Sequence, residues 1–197
     1  LMGFLKGKTA IITGGGRSVL KDGSCGSIGY GIATAYAKEG ANLVITGRNK
    51  QKLADAKEEL ERLYNIEVLP VQADVSAGAD NETVVRNVID ETIAKFGRID
   101  VLINNAQASD SGVAANEWGP DGINANIICP LAWTAQLENF QQAYPEAFEA
   151  NVKMPPAGHY GDVEKEIGRV CVQLASPDFK YMNGETLTLE GGMGLRP

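Results

Sequence analysis

Lys8-Thr9-Ala10-Ile11-Ile12-Thr13-Gly14-Gly15-Gly16, resumed after a short detour by Gly26-Ser27-Ile28-Gly29-Tyr30-Gly31, is the stretch that decides the fold. Thr9 to Ile12 is a β-branched run closed at once by glycines, which reads as a buried strand ending in a turn. From Ile28 the period becomes helical: Ile28, Ile32, Ala35 and Tyr36 share one face, and Gly40 supplies the stop. Such a strand–glycine turn–helix lets backbone approach a pyrophosphate at the positive end of the helix. A glycine cluster by itself fits a flexible loop equally well; its position between strand and helix is what points to a dinucleotide. Gly7-Lys8-Thr9 imitates the end of a P-loop, but it precedes the strand, and Met2 stands where that motif needs its first glycine. A nucleoside triphosphatase is excluded.

Outward from this turn, strand and helix alternate. Asn42 to Thr46 forms a second strand. Asn49 can cap a helix whose Leu53, Ala56, Leu60 and Leu63 face inward. Glu67 to Gln72 is a third strand. Asp80 or Asn81 opens a long helix carrying Val84, Val85, Val88, Ile89 and Phe96 inward, and Asp100 to Asn104 is a fourth strand. The βαβαβαβ order predicts a doubly wound, Rossmann-like parallel sheet with right-handed crossovers, and residues 1–197 form a single domain. Further on, Ile123 to Ile128 is strand-like, and Glu138 to Val152 is helical with a break at Pro145. Asp162 caps Val163 to Ala175, and Thr186 to Leu189 closes the chain.

Charge and composition narrow the function. A formal net charge of -7 argues against nucleic acid or anionic lipid, both of which demand a basic face. A small-molecule partner is expected. No apolar run approaches the length of a membrane helix, and Leu1 to Lys6 is too short and mixed for a signal peptide, so a cytoplasmic location without membrane contact is expected. Cys25, Cys129 and Cys171 are odd in number and lack C-x-x-C spacing, which reads as free thiols. With His159 alone there is no His-pair metal site, and no metal is expected.

Five motifs then occur in a fixed order: Thr13-Gly14 with the later glycines, Asp74-Val75, Asn104-Asn105-Ala106, Ile123-Asn124-Ala125-Asn126 leading to Pro130, and Asn183-Gly184-Glu185 with Glu190-Gly191-Gly192. Together they resemble the short-chain dehydrogenases/reductases. Within that family the delayed Ser27-Ile28-Gly29-Tyr30-Gly31, the Asn-Asn-Ala-Gln run at 104 to 107 and the tail from Tyr181 are most similar to bacterial 12α-hydroxysteroid (bile acid) dehydrogenases. The resemblance implies that Gly14, Ser27, Ile28 and Gly29 line the pyrophosphate and that Asp74 and Val75 hold adenine. It further implies that Asn104 and Ala106 border the adenosine ribose and that Pro130 and Thr134 contact the nicotinamide half. Structural alternatives stand beside these roles: Asp74 as a turn cap, Asn104 as a cross-strand bond, Thr134 as a helix cap. After the second strand, Gly47-Arg48-Asn49 replaces the acidic residue of NAD sites with a guanidinium suited to the 2′-phosphate of NADP; Arg17 is a possible second clamp. The alternative for Arg48 is a solvated surface arginine.

Two departures stand out. Arg17 to Cys25 lengthens the phosphate turn and either carries Lys21 over the cofactor or protrudes. More seriously, the family's proton transfer uses a serine and a tyrosine followed four residues later by lysine, and none of Tyr30, Tyr36, Tyr64, Tyr144, Tyr160 and Tyr181 has lysine at that spacing. No catalytic residue is therefore assigned. Tyr160 with Lys165 is one residue off and precedes the last helix, so it is set aside. Only ten residues separate Gln107 from Trp118, where the family places a helix, a strand and a second helix; Ala115-Asn116-Glu117-Trp118 resembles the stub of the latter. An internal deletion between 107 and 118 is expected, costing one central strand and its flanking helices. The flanking strands would stand apart with unpaired edges, or slide together. Val101, Leu102, Ile127 and Ile128 beside such edges favour a homo-oligomeric or self-associating species. The expected activity is NADP(H)-dependent oxidation or reduction of a steroid-like secondary alcohol or ketone. The alternative is a catalytically inert NADP(H)-binding module or a truncated fragment.

Overall fold

A computed structural model of the protein describes residues 3–74, 81–105 and 111–194. The first half follows the alternation predicted from sequence: β1 (Thr9–Thr13), α1 (Ile28–Lys38), β2 (Asn42–Gly47), α2 (Lys50–Tyr64), β3 (Val68–Gln72), α3 (Asn81–Phe96) and β4 (Val101–Ile103). The four strands form one parallel sheet in the order β3-β2-β1-β4. β1 is central, which explains why all five of its residues are buried and apolar or β-branched. Asn49 caps α2 by accepting from the Lys52 N–H at 3.0 Å. Asn65 ends that helix in the left-handed conformation (φ 52°). Asp80, the other proposed start of α3, lies outside the described residues.

The two faces of this sheet are unequally covered. On one, α1, α2 and α7 (Arg169–Leu174) enclose a core that includes Ala10, Ile12, Leu43, Ile45, Leu53 and Val172. α1 is buried on every side from Gly29 to Ala37, rather than along the single stripe that the spacing of Ile28, Ile32, Ala35 and Tyr36 predicts. A second layer, the π-helical turn Val163–Gly168 that runs into α7, covers the flank expected to meet solvent. On the opposite face α3 is the one helix packed against the sheet among the described residues, and the buried core there is Ile11, Val44, Val71 and Val88. Val85 and Ile89, predicted to point inward, are about two-fifths exposed, and Ile93 is nearly half exposed. Leu63 of α2 is likewise exposed rather than buried.

The second half departs further. α4 (Ser111–Trp118) is followed by β5 (Ile127–Pro130), α5 (Ala135–Ala143), α6 (Pro145–Asn151), the π turn with α7, and β6 (Thr186–Leu189). The predicted strand at 123–128 begins four residues later, because Asn124 and Asn126 spend their side-chain amides on the carbonyls of Lys180 and Met182. Pro145 breaks the helical stretch as predicted, beginning α6 at its first turn. β5 pairs with β6 alone, and β4 with β1 alone, among the described residues. The sheet is split into four strands and two. Of the two arrangements expected for these flanking strands, separation is the one found among the described residues.

The small sheet is tied to the large one through α1. Ala132, Val163 and Ile167 pack with Cys25, Ile28, Ile128 and Leu189, and the Ala135 N–H donates to the Gly26 carbonyl at 2.8 Å. Asp162 caps the π turn by accepting from Glu164 and Lys165 N–H groups at 2.9 and 2.8 Å. At the base of the molecule the buried Glu39 carboxylate accepts from Arg169 and from the Gly3 N–H, both at 2.6 Å. Burial alone would raise its pKa, but these donors outweigh it and hold the carboxyl below its ordinary value.

Candidate functional site

The carboxyl ends of β1, β2 and β4 converge on the glycine turn. Gly14 (φ 73°) and Gly15 donate to the Thr46 carbonyl at 2.9 and 3.1 Å, which folds the turn back over β2. Gly29 sits where any side chain would collide: a Cβ there would lie 2.3 Å from the Gly14 carbonyl oxygen and 2.8 Å from the Asn105 amide. The backbone is therefore brought close to itself beside the N-terminus of α1. Ser27, the N-cap of α1, has a buried hydroxyl oxygen without a hydrogen-bond partner and does not cap its own helix. An orphaned donor at the positive end of a helix, beside two glycines, fits a phosphate oxygen.

Asn105, rather than Asn104, performs the cross-strand bond that sequence considerations raised. Its amide donates to the Thr13 carbonyl at 3.1 Å and backs Gly29, whereas Asn104 is exposed. The signal was the Asn-Asn run itself, with the two positions exchanged. Asp74 is exposed at the end of β3 and is engaged in an interaction of its own. Val75 and Ala106 lie outside the described residues.

The two arginines differ. The Arg17 guanidinium pairs with Glu59 of α2, which raises its pKa, while the Arg17 backbone N–H donates to the Lys52 carbonyl at 2.8 Å. Arg48 is exposed just past β2, and its guanidinium has no ion-pair partner among the described residues. Its backbone is pinned instead, the carbonyl accepting from Gln72 at 3.0 Å. The insertion from Arg17 to Cys25 folds as a small hairpin closed by a Val19–Cys25 bridge, with the Lys21 N–H donating to Glu138 of α5 at 3.1 Å. It ties α5 to the turn.

Beyond the turn, a cavity of about 580 Å³ opens between β5, α5 and the end of α6. Ile28, Pro130 and Thr134 line it, so a residue expected at the pyrophosphate and two expected at the nicotinamide half meet at one opening. Thr134 also caps α5, accepting from the Leu137 N–H at 3.3 Å. Sequence reasoning missed two neighbours, Lys153 and Tyr160. Tyr160 was set aside as remote, yet it lines this cavity, and its hydroxyl donates to the Lys153 carbonyl at 2.8 Å. It is not paired with Lys165, whose ammonium faces Asp162 at 3.3 Å. No spacing rule could reveal this, because the contact depends on the loop after α6 turning back. His159 is exposed and bound to Glu166 at 2.9 Å, which raises its pKa. Burial pushes the thiols of Cys25 and Cys171 up to about 11 and about 12, which keeps them protonated and poor nucleophiles. No group of metal-ligating side chains occurs among the described residues.

A family profile described as short chain dehydrogenase matches residues 8–115, and a second, described as Enoyl-(Acyl carrier protein) reductase, matches residues 111–194. The chain belongs to the short-chain dehydrogenase family. Among its relatives, a 12alpha-hydroxysteroid dehydrogenase of Clostridium sp. is 49% identical, with 100% of each chain covered. A peroxisomal 2,4-dienoyl-CoA reductase of Danio rerio is 36% identical over 98% of this chain and 83% of its own. The alignment with the Clostridium enzyme runs over 266 positions, whereas this chain has 197 residues, so a substantial part of that enzyme stands opposite nothing here. Among solved structures, L-sorbose reductase from Gluconobacter frateurii, complexed with NADPH and L-sorbose, shares the fold at a TM-score of 0.81 with 20% identity and 100% of both chains covered. A hydroxysteroid dehydrogenase from Escherichia coli does so at 0.77, with 20% identity over 95% of this chain and 96% of its own. The predicted family, its oxidoreductase class and the Rossmann-like fold are borne out.

Proposed function

We propose that the glycine turn holds NADP(H) and that the protein derives from a hydroxysteroid-type oxidoreductase whose proton-transfer segment is missing between residues 107 and 118. On this reading the 197-residue chain binds the cofactor without turning it over. The observation that carries it is the buried, partnerless Ser27 hydroxyl at the α1 N-terminus, facing a turn that only glycine at position 29 permits. Gly14, Ser27, Ile28 and Gly29 would hold the pyrophosphate, Arg48 the 2′-phosphate, Asp74 and Val75 the adenine, and Asn104 and Ala106 the ribose. Pro130 and Thr134 would border the nicotinamide. Arg17 would join Arg48 only by leaving Glu59. When bound, the nicotinamide supplies or accepts hydride; the chain's part is binding and orientation. The deletion is supported by the split sheet, by the meeting of the two family profiles at residues 111–115, and by the longer alignment with the Clostridium relative.

The same split supports self-association, because among the described residues one side of β4 is unpaired and Val85, Ile89 and Ile93 of α3 are exposed. No helix among the described residues is long and apolar enough to cross a membrane. The free thiols favour the reducing cytoplasm.

Calorimetry tests the cofactor assignment. One charge-assisted contact from Arg48 should favour NADPH over NADH by about 1.5–3 kcal/mol, and Arg48→Asp should abolish that preference. Equal affinities for the two cofactors in the wild-type chain would refute it. Oxidation of hydroxysteroids with NADP should not exceed the blank; turnover lost in Tyr160→Phe would show that Tyr160 has taken over proton transfer.

A further inference from the structure

Of the ion pairs among the described residues, one alone includes a residue of the glycine turn, the Arg17 guanidinium on Glu59 of α2. Arg17 stands in a fixed place. Its backbone N–H donates to the Lys52 carbonyl at 2.8 Å, and a Cβ on Gly16 before it would lie 3.2 Å from the Lys52 Cβ. The turn therefore rests on the first turn of α2, just past Arg48 in the chain. The two arginines flank the start of one helix, beside the end of β2 where the Thr46 carbonyl accepts from Gly14 and Gly15. The Arg48 guanidinium is unpaired among the described residues, and that of Arg17 is taken.

The hollow around this pair, about 240 Å³, is lined by Arg17, Asp55, Glu58, Glu59 and Arg62. Its three carboxylates outnumber its two guanidiniums, so as it stands it does not attract a phosphate. About a third of the Arg17 side chain and a quarter of Glu59 are exposed, whereas Arg86 and Glu82 on α3 are both exposed over two-thirds or more. The Arg17 pair is accordingly less screened by water and salt. Arg62 has no ion pair among the described residues and follows Glu59 by three positions on α2, within reach of its carboxylate. Glu59 thus has a second cation to turn to when Arg17 leaves.

We infer that Glu59 is a specificity-determining residue that limits the preference for NADPH over NADH, its carboxylate occupying the Arg17 guanidinium in place of the 2′-phosphate. Carboxylate and phosphate oxygens compete for the same donors of one guanidinium fork. A ligand whose partner is available only part of the time binds more weakly by that fraction. NADH has no 2′-phosphate to exchange for Glu59 and is indifferent to the competition. The inference rests on the NADP(H) reading of the turn. Glu59 acts through Arg17 and touches neither cofactor nor substrate.

Calorimetric titration of NADPH and NADH into the full chain and its variants, at one ionic strength, provides the test. Releasing a partly exposed ion pair should tighten NADPH by about two- to sixfold in Glu59→Gln. NADH affinity should not change. Glu58→Gln removes the same charge one residue away, from a carboxylate that does not pair with Arg17, and should leave both affinities where they are. Arg17→Met should cost more NADPH affinity in the Glu59→Gln background than in the wild type, by the same factor, and once Arg17 is gone Glu59→Gln and Glu58→Gln should be equivalent. An NADPH affinity unmoved by Glu59→Gln, an equal gain for NADH, or an equal gain in Glu58→Gln would each overturn the inference. Those outcomes leave the cofactor reading intact as long as the wild-type chain prefers NADPH and Arg48→Asp removes that preference. A chain that binds neither cofactor, in the wild type and in Glu59→Gln alike, refutes the cofactor reading and this inference with it.

Discussion

Gly29 and Gly31 lie two residues apart on α1, but their missing side chains make room for different things, and exchanging each for alanine should separate them. A Cβ on Gly31 would lie 2.4 Å from the Val163 carbonyl oxygen and 2.5 Å from its carbon. Val163 cannot retreat easily, because it opens the π turn directly after Asp162, whose carboxylate is committed to the next two N–H groups. Gly168 closes the same contact from the other side, a Cβ there meeting the Gly31 carbonyl oxygen at 2.8 Å. Overpacking against backbone costs about 1–3 kcal/mol, here at the upper end, and the better helix propensity of alanine returns about 1 kcal/mol. The net loss for Gly31→Ala is about 2 kcal/mol. For a chain of this size that corresponds to a fall in Tm of roughly 4–8 °C. Because the clash faces Val163 and not the turn, NADPH affinity of the folded protein should stay within twofold, roughly, of the wild type. Gly29→Ala pushes on the Gly14 carbonyl and Asn105 instead, so it should lower Tm and also cost at least about tenfold in NADPH affinity, the scale of one lost charge-assisted contact. Differential scanning fluorimetry with and without NADPH reads both effects. A Gly31→Ala protein with unchanged Tm would show that α1 and the π turn do not pack as described. Equal NADPH loss in the two variants would remove the distinction between a packing glycine and a ligand-facing one.

Two further outcomes are expected. Asp100 is held below its ordinary pKa: burial opposes this, but the donors Arg98, the Thr9 N–H and Lys8 prevail, and Glu39 is held down in the same way. A depressed folded-state pKa contributes stability that is present above the unfolded value and lost as pH falls through the folded one, so urea midpoints should drop below about pH 4, and less steeply in Asp100→Asn; a flat profile would contradict it. Sedimentation should show reversible, concentration-dependent association through the α3 face that Ile89→Glu reduces, since a charge on a desolvated apolar face is unfavourable; a monomer at all concentrations would mean that the open face of the sheet is tolerated in water.

The first sheet was legible in the sequence because each of its elements is specified locally. The β-branched run of β1, the Asn49 cap and the glycine stops are read from neighbours in the chain, and the structure reproduces them. What could not be read was set by partners distant in sequence. α1 is buried all round because the π turn, more than a hundred residues later, covers the flank that periodicity left to solvent. Val85 and Ile89 match an inward-facing pattern yet stay exposed, since the pattern records a layer for which this chain supplies no counterpart among the described residues. At the site, the glycine turn is read from its place between strand and helix and Ser27 from the family resemblance, but the exchange of Asn104 for Asn105 depends on which amide is turned toward Thr13. Tyr160 and Lys153 were missed because their shared cavity is made by a loop folding back onto β5.

The same geometry explains why cofactor binding and turnover can come apart in this chain. The contacts at Gly14, Gly15 and Gly29 that shape the glycine turn are made by β1, β2, α1 and Asn105 just past β4, on the sheet face covered by α1, α2 and α7. β5 and β6 reach the turn through α1, by way of Ile28, Val163 and the Ala135 to Gly26 hydrogen bond, and not through β4. A strand lost between β4 and β5 therefore removes no support from Ser27 or Gly29. The cost would fall on the other face, where α3 is the one helix among the described residues that covers Ile11, Val44 and Val71, and on whatever chemistry a lost segment carried. Proton transfer requires a titratable group held against the reacting oxygen, and the one tyrosine at the cavity has its hydroxyl committed to a backbone carbonyl. On the proposed reading, binding would survive because its donors are local backbone and one N-cap, while catalysis would need a group placed by a central strand, so the two functions would fail independently.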